Sequence, residues 1–168
     1  MKNLQILLVF LLGLQICSCS SDDESMNTPD YSGIYTLRTI ESDKALDPDV
    51  TGTFDQTELL DDLTCNSTIL LNADSSFLWS YVTLNQIVNN IMGTTTYQNM
   101  ECILFTGSTG SYQVSGAGVA FAFDDSISDI SGVLAEDKIT VVINEELAVE
   151  ESGEVKLGTV SLTLVYEK

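Results

Sequence analysis

The chain has 168 residues, with 25 Asp and Glu against 6 Lys and Arg, no His, and a formal net charge of −19. That length fits one ordinary domain with room for a sizeable core. The absence of His removes Ser-His-Asp and Cys-His chemistry and most transition-metal sites, and the acidity argues against nucleic acid as a partner, because phosphate contacts are made by Lys and Arg. With 44 % hydrophobic residues, the composition is not that of a disordered chain, which needs low hydrophobicity as well as high charge.

Residues 1–18 read as a secretory signal. Lys2 supplies the positive start, and an apolar run over 4–14 is interrupted only by Gln5 and Gly13. The run is shorter than the roughly 20 residues of a membrane span and lacks the polar face of a core helix. Ile16, Ser18 and Cys19 then resemble the lipobox of bacterial lipoproteins, with an apolar residue at −3 and a small one at −1 before the Cys. The resemblance implies cleavage after Ser18 and lipidation of Cys19, and two or more acyl chains hold a protein to a membrane far more firmly than one. The following Ser20-Ser21-Asp22-Asp23-Glu24 resembles the acidic stretch that directs Bacteroidetes lipoproteins to the outer face of the outer membrane. Residues 19–30 are thus expected to be a lipidated tether reaching at most about 40 Å, and residues 31–168 the folded domain.

From residue 31 the pattern has period 2, the signature of strands with one face on a core and one toward water. Strands are expected near 32–41, 67–73, 77–83, 102–106, 110–115, 118–124, 127–134 with 138–144, and 155–167. The penultimate span reads as one bent strand or two, giving eight or nine. Asn72-Ala73-Asp74-Ser75-Ser76, Ser115-Gly116-Ala117-Gly118 and Ala135-Glu136-Asp137-Lys138 supply the turns. A short helix is expected over 56–63, with Leu59, Leu60 and Leu63 on one side, and the polar, Asn-rich stretch 84–101 reads as a long loop, functional or mobile. Many short, evenly spaced strands argue for a sandwich or an up-and-down barrel.

Of the four Cys, the signal takes Cys17 and lipid takes Cys19. Cys65 and Cys102 remain, an even pair in an oxidising compartment, and are expected to form a disulfide. The order of Gly33-Ile34-Tyr35-Thr36-Leu37, Cys65, the 67–74 strand, Cys102, Gly110-Ser111-Tyr112 and the terminal 164–168 strand resembles the lipocalin-like lipoproteins of Bacteroidetes. Tyr35 stands where many relatives have Trp. The resemblance implies an all-β fold, a single antiparallel up-and-down barrel of about eight strands behind a lipid anchor. It implies no substrate, since fold does not fix function.

Two candidate sites stand out. Asp47, Asp49, Thr51, Asp55 and Glu58 fall at positions 1, 3, 5, 9 and 12 of a calcium-loop spacing, with Gly52 at 6 for the sharp turn. The competing reading is an acidic surface loop in which Asp55 caps the short helix. The inward residues Phe77, Trp79, Tyr81, Tyr112, Phe121, Phe123 and Tyr166 either line an apolar ligand pocket or fill the barrel, which at eight strands is barely wide enough to hold a ligand. Acidic clusters at Asp61-Asp62, Asp124-Asp125 with Asp129, and Glu145-Glu146 with Glu150-Glu151 sit mostly in expected turns, where ionised carboxylates do not act as raised-pKa acids. The expectation is a surface-anchored, non-enzymatic protein that binds a small apolar molecule, a glycan or a protein. The alternative is an envelope interaction or inhibitor module with a filled barrel.

Overall fold

The computed structural model describes residues 30–168 apart from 62, 93 and 126; the expected signal peptide, Cys19 and nearly all of the tether lie outside the described residues. Every element among them is a strand: β1 (Gly33–Leu46), β2 (Gln56–Glu58), β3 (Thr68–Leu71), β4 (Ser76–Asn85), β5 (Val88–Ile91), β6 (Thr94–Tyr97), β7 (Glu101–Ser115), β8 (Gly118–Phe123), β9 (Ile130–Ala135), β10 (Lys138–Glu151) and β11 (Glu154–Glu167). Strands β1, β3, β4, β7, β8, β9, β10 and β11 pair in that order, each antiparallel to the next, and β11 returns to β1 from Thr36↔Glu167 to Ser42↔Leu162. The result is a closed eight-stranded antiparallel barrel. Where the strands pair, closure removes the free edges that an open sheet would expose.

Alternation builds the interior. Ile139, Val141 and Ile143 of β10 face Tyr166, Leu164 and Leu162 of β11, and all six are buried. Tight turns hold the meander in register. At the β3–β4 hairpin, Asp74 Oδ1 accepts from the Ser76 N–H (3.0 Å) and hydroxyl (2.6 Å), and Ser75 takes φ +66°. Backbones also approach closely: a Cβ on Gly110 would lie 2.0 Å from the Ala122 carbonyl oxygen and 2.9 Å from the Phe77 ring. Only Gly lets β7 and β8 pair there.

Three expectations need correction, and one left open is decided. The segment 56–63 is not a helix. Gln56–Glu58 pairs with the far half of β1, so Asp55 has no helix to cap, and only the Leu63 N–H to Leu59 C=O bond (3.1 Å) marks a helical turn. Leu59 and Leu63 are both buried, so the i, i+4 pair was read correctly, but one turn does not repay helix nucleation, and acidic residues at its C-terminal end oppose the dipole. The stretch 84–101 is not a long loop: it holds the end of β4 and the β5–β6 hairpin, paired from Val88↔Tyr97 to Ile91↔Thr94. The spans 102–106 and 110–115 are one strand, β7, bent by a bulge where its pairing with β4 shifts between Trp79↔Ser108 and Tyr81↔Phe105; Gly107 takes φ +86° at the bend. The span 127–144 resolves into two strands, β9 and β10.

Candidate functional site: a gap in the barrel wall

The aromatic residues expected to line a pocket do converge. Phe77, Trp79, Phe121 and Tyr166 are fully buried, Tyr112 is buried near one rim, and Tyr81 and Phe123 are half-buried. Their rings touch one another. Phe77 meets Phe121 at 5.3 Å and Phe123 at 5.0 Å between centroids, and Trp79 meets Phe121 at 5.0 Å, Phe123 at 5.6 Å and Tyr166 at 5.7 Å. These are ordinary packing distances for aromatic pairs, so the protein's own rings occupy the middle of the lumen. A directed chain of hydrogen bonds satisfies their polar tips. Trp79 Nε1–H donates to the Tyr166 hydroxyl (3.2 Å), which lies 2.9 Å from Ser67 Oγ, and Ser67 donates to the Ser80 carbonyl (2.5 Å). Burial pushes the Tyr166 hydroxyl up to about 12 against the lowering effect of these two partners.

The residues with calcium-loop spacing are spread between a buried hydrogen-bond network and the surface. Asp47 is buried, and both its oxygens are engaged by the protein. Oδ1 accepts from the Thr51 N–H (2.9 Å) and hydroxyl (3.0 Å), and Oδ2 from the Gly52 N–H (2.7 Å) and the Tyr97 hydroxyl (2.6 Å). Asp49 and Asp55 point to solvent, and Glu58 pairs opposite Glu41 in β2. Among the described residues, no three acidic, Cys or His side chains gather closely enough to hold a metal ion.

Asp47 ties the 47–52 turn to Tyr97 of β6. Gln86 extends the network, donating to the carbonyls of Gln98 (3.0 Å) and Asp47 (3.4 Å) and accepting from the Ala148 N–H (3.0 Å). Burial favours the neutral acid of Asp47, but the bonds from Tyr97, Gly52 and Thr51 outweigh it and hold the carboxyl below its ordinary value of 3.8. Burial, then the bond to Asp47, push Tyr97 up to about 12. A depressed acid stabilises the fold above its unfolded value and loses that effect as pH falls through the folded one. Asp47→Ala is therefore expected to cost about 1–3 kcal/mol at pH 7, the penalty for leaving buried donors unpaired. The difference from wild type should shrink below about pH 4, read as paired melting curves across pH 2–7. A constant difference across that range would contradict this account of Asp47.

The feature that sequence reasoning missed lies in the wall. β8 ends at Phe123 and β9 begins at Ile130. β8 therefore covers β7 only from Gly110 to Ser115, and β9 covers β10 only from Lys138 to Val141. Below them, among the described residues, no strand pairs with the outer edge of β7 over 101–108 or with that of β10 over 142–147. Residues 124, 125 and 127–129 of the connection border this gap. The Asp124 N–H donates to the Thr109 carbonyl (2.9 Å), and Asp125 Oδ1 accepts from the Ile127 N–H (2.9 Å). Half-buried Ile127 packs onto the core and separates two open clefts. One, of about 450 Å³, lies toward Phe105, Gly107 and Asp125 of the β7 side; the other, of about 400 Å³, lies toward Tyr81, Asp129, Val142 and Asn144.

The gap mixes apolar and polar groups in its lining, with Ser131 and Asn144 beside Ile127 and Val142, and is acidic in its field. Phe105 is 49 % exposed and Val142 54 % exposed. Glu145 shares the inward face of β10 with Ile143 and Leu147, and burial raises its carboxyl above the ordinary value. Burial, with the Glu145 charge second, likewise raises the Tyr81 hydroxyl. No Lys or Arg occurs between Lys44 and Lys138. Lys44 and Lys156 pair with Glu151, Lys138 with Glu167, and Lys168 lies over the Tyr35 ring, so these cations gather at the two ends of the barrel. A further cleft of about 750 Å³ opens at the opposite rim beside Tyr31, Ser75 and Tyr112, where Tyr112 is tied by its hydroxyl to the Asn72 carbonyl (2.9 Å).

No protein-family model, curated protein or solved structure matches the chain.

Proposed function

We propose that this protein is a lipid-anchored, cell-surface binding domain, without enzymatic activity, that takes its ligand on the outside of the barrel at the gap between β7 and β10. The lipocalin-like resemblance and the Cys19 lipobox support the anchor and the address. The observation that carries the binding site is the contrast between a lumen filled by its own rings and a wall interrupted by open clefts of mixed polarity around Ile127. A ligand meets Phe105, Ile127 and Val142 without displacing core side chains, and the barrel serves as a rigid scaffold for that surface.

Photo-crosslinking on intact cells tests this reading. A benzophenone amino acid in place of Ile127 is expected to give a discrete adduct, while the same residue in place of Thr57, exposed on β2, gives none. Loss of surface labelling when Cys19 is changed to Ala tests the anchor. Adducts of equal yield from both positions, or from neither, would remove the gap as the binding site.

A further inference from the structure

We infer that the gap is a strand-addition site: an extended, Lys- or Arg-bearing polypeptide pairs with the free edge of β10, places alternate apolar side chains in the clefts beside Ile127, and meets Asp125, Asp129 and Glu146 with its cations. The inference rests on the surface-binding reading above and names the partner class for that site.

The backbone supplies the first argument. The Ala148 N–H points away from β11, since it donates to Gln86 Oε1. In an antiparallel ladder, residues two apart present their N–H and C=O groups to the same edge, so Glu146, Asn144 and Val142 present theirs to the gap. The other edge of β10 is fully engaged, with β11 paired from Lys138↔Glu167 to Glu151↔Glu154. From Val142 to Leu147 the free edge runs roughly 20 Å at about 3.4 Å per residue. Soluble proteins ordinarily blunt such an edge with Lys, Pro, an inward-pointing charge or a covering element; this one has no Lys or Pro from Val142 to Leu147, carries Glu145 on its inward face and ends in a side-chain cap at Ala148. Main-chain bonds to an exposed edge, with pockets for alternate side chains, are a recurring mode of peptide recognition.

Shape and charge supply the second argument. β9 and β10 part after Gly132 and Val141, and the cleft against Val142 and Asn144 occupies the fork, so an added strand has open volume there, with Ile127 and Val142 for its apolar side chains and Asp129 for its cations. The chain contributes no positive side chain between Lys44 and Lys138, and Glu145 makes no ion pair among the described residues. A basic segment is attracted to this face and an acidic one repelled, which separates a basic partner from an acidic or neutral one.

The test uses the full-length chain in detergent with two fluorescein-labelled peptides, one of alternating Lys and Val and one of alternating Glu and Val. The basic peptide is expected to bind, more weakly as salt rises, and to slow hydrogen exchange at the Val142, Asn144 and Glu146 amides; the acidic peptide is expected not to bind. Val142→Pro removes one edge donor without touching the β11 ladder and should weaken binding at least tenfold. If that variant does not fold, Asp129→Lys should weaken it by a similar factor. Equal binding of both peptides, or basic-peptide binding without slowed exchange at those three amides, overturns the inference. The two readings fail separately: an adduct at position 127 that survives complete proteolysis keeps the gap as a binding site and overturns strand addition, whereas no adduct there removes both.

Discussion

Trp79→Ala is expected to lower the unfolding free energy by about 3–5 kcal/mol, the range for truncating a buried large aromatic. Trp79 has no exposed surface and touches Phe77, Tyr81, Phe121, Phe123 and Tyr166, so its loss opens a void in the one layer that unites β4, β8 and β11. Denaturant unfolding followed by far-UV circular dichroism is the measurement, because the chain has no other Trp. Tyr166→Phe separates the polar contribution from the volume. It keeps the ring but leaves Trp79 Nε1–H and Ser67 Oγ short of a partner, which should cost about 1–3 kcal/mol. Combined with Trp79→Phe it forms a double-mutant cycle. A coupling near zero would mean that the Trp79–Tyr166 hydrogen bond contributes nothing, and a cost below about 1 kcal/mol for Trp79→Ala would mean that the lumen is not packed around this ring.

The barrel was legible in the sequence wherever alternation is long and uninterrupted. Val160, Leu162, Leu164 and Tyr166 read as one inward face and are one, and Asn72-Ala73-Asp74-Ser75-Ser76 read as a hairpin because Asp and Ser supply their own backbone-like bonds. The corrections share a cause, since each is decided by partners distant in sequence. Gln56–Glu58 is a strand because β1 extends far enough to pair with it. The Asn- and Thr-rich stretch 88–97 folds back as a hairpin, although polar composition alone reads as loop. The aromatic set was identified residue by residue, but whether it lines or fills a cavity depends on ring positions that periodicity does not fix.

The gap was illegible for a different reason. Its neighbouring β8 and β9 read nearly as they stand, while β7 and β10 are longer than the sequence suggested. The opening comes from the mismatch between short β8 and β9 and long β7 and β10, and that mismatch was hidden when β7 read as two short strands on either side of Gly107. The acidity of the region was visible in the missing Lys and Arg between 44 and 138, and only the topology placed it on one face.

Removing the Cys65–Cys102 disulfide should produce the second large effect. The bond joins Cα atoms 5.6 Å apart across a sequence separation of 37 residues, and the chain-entropy account gives about 4 kcal/mol for a loop of that size. Replacing both Cys with Ser is expected to lower the melting temperature by on the order of 10–15 °C, and reductant should do the same to the wild type while leaving the double variant unchanged. The loss should also be uneven. Cys102 sits at the start of β7, opposite Leu84, on the half of that strand whose other edge faces the gap. There the disulfide to the 59–65 segment is a covalent link added to β4's single ladder. β10 and β11 are held by a continuous ladder from end to end. Hydrogen exchange in the double variant should therefore accelerate in β5, β6 and residues 101–106 of β7 well before it does in β10 and β11. Uniform acceleration would show that the two sides of the gap unfold as one unit, and a melting temperature insensitive to reductant would show that the crosslink does not constrain the unfolded chain in the way this account requires.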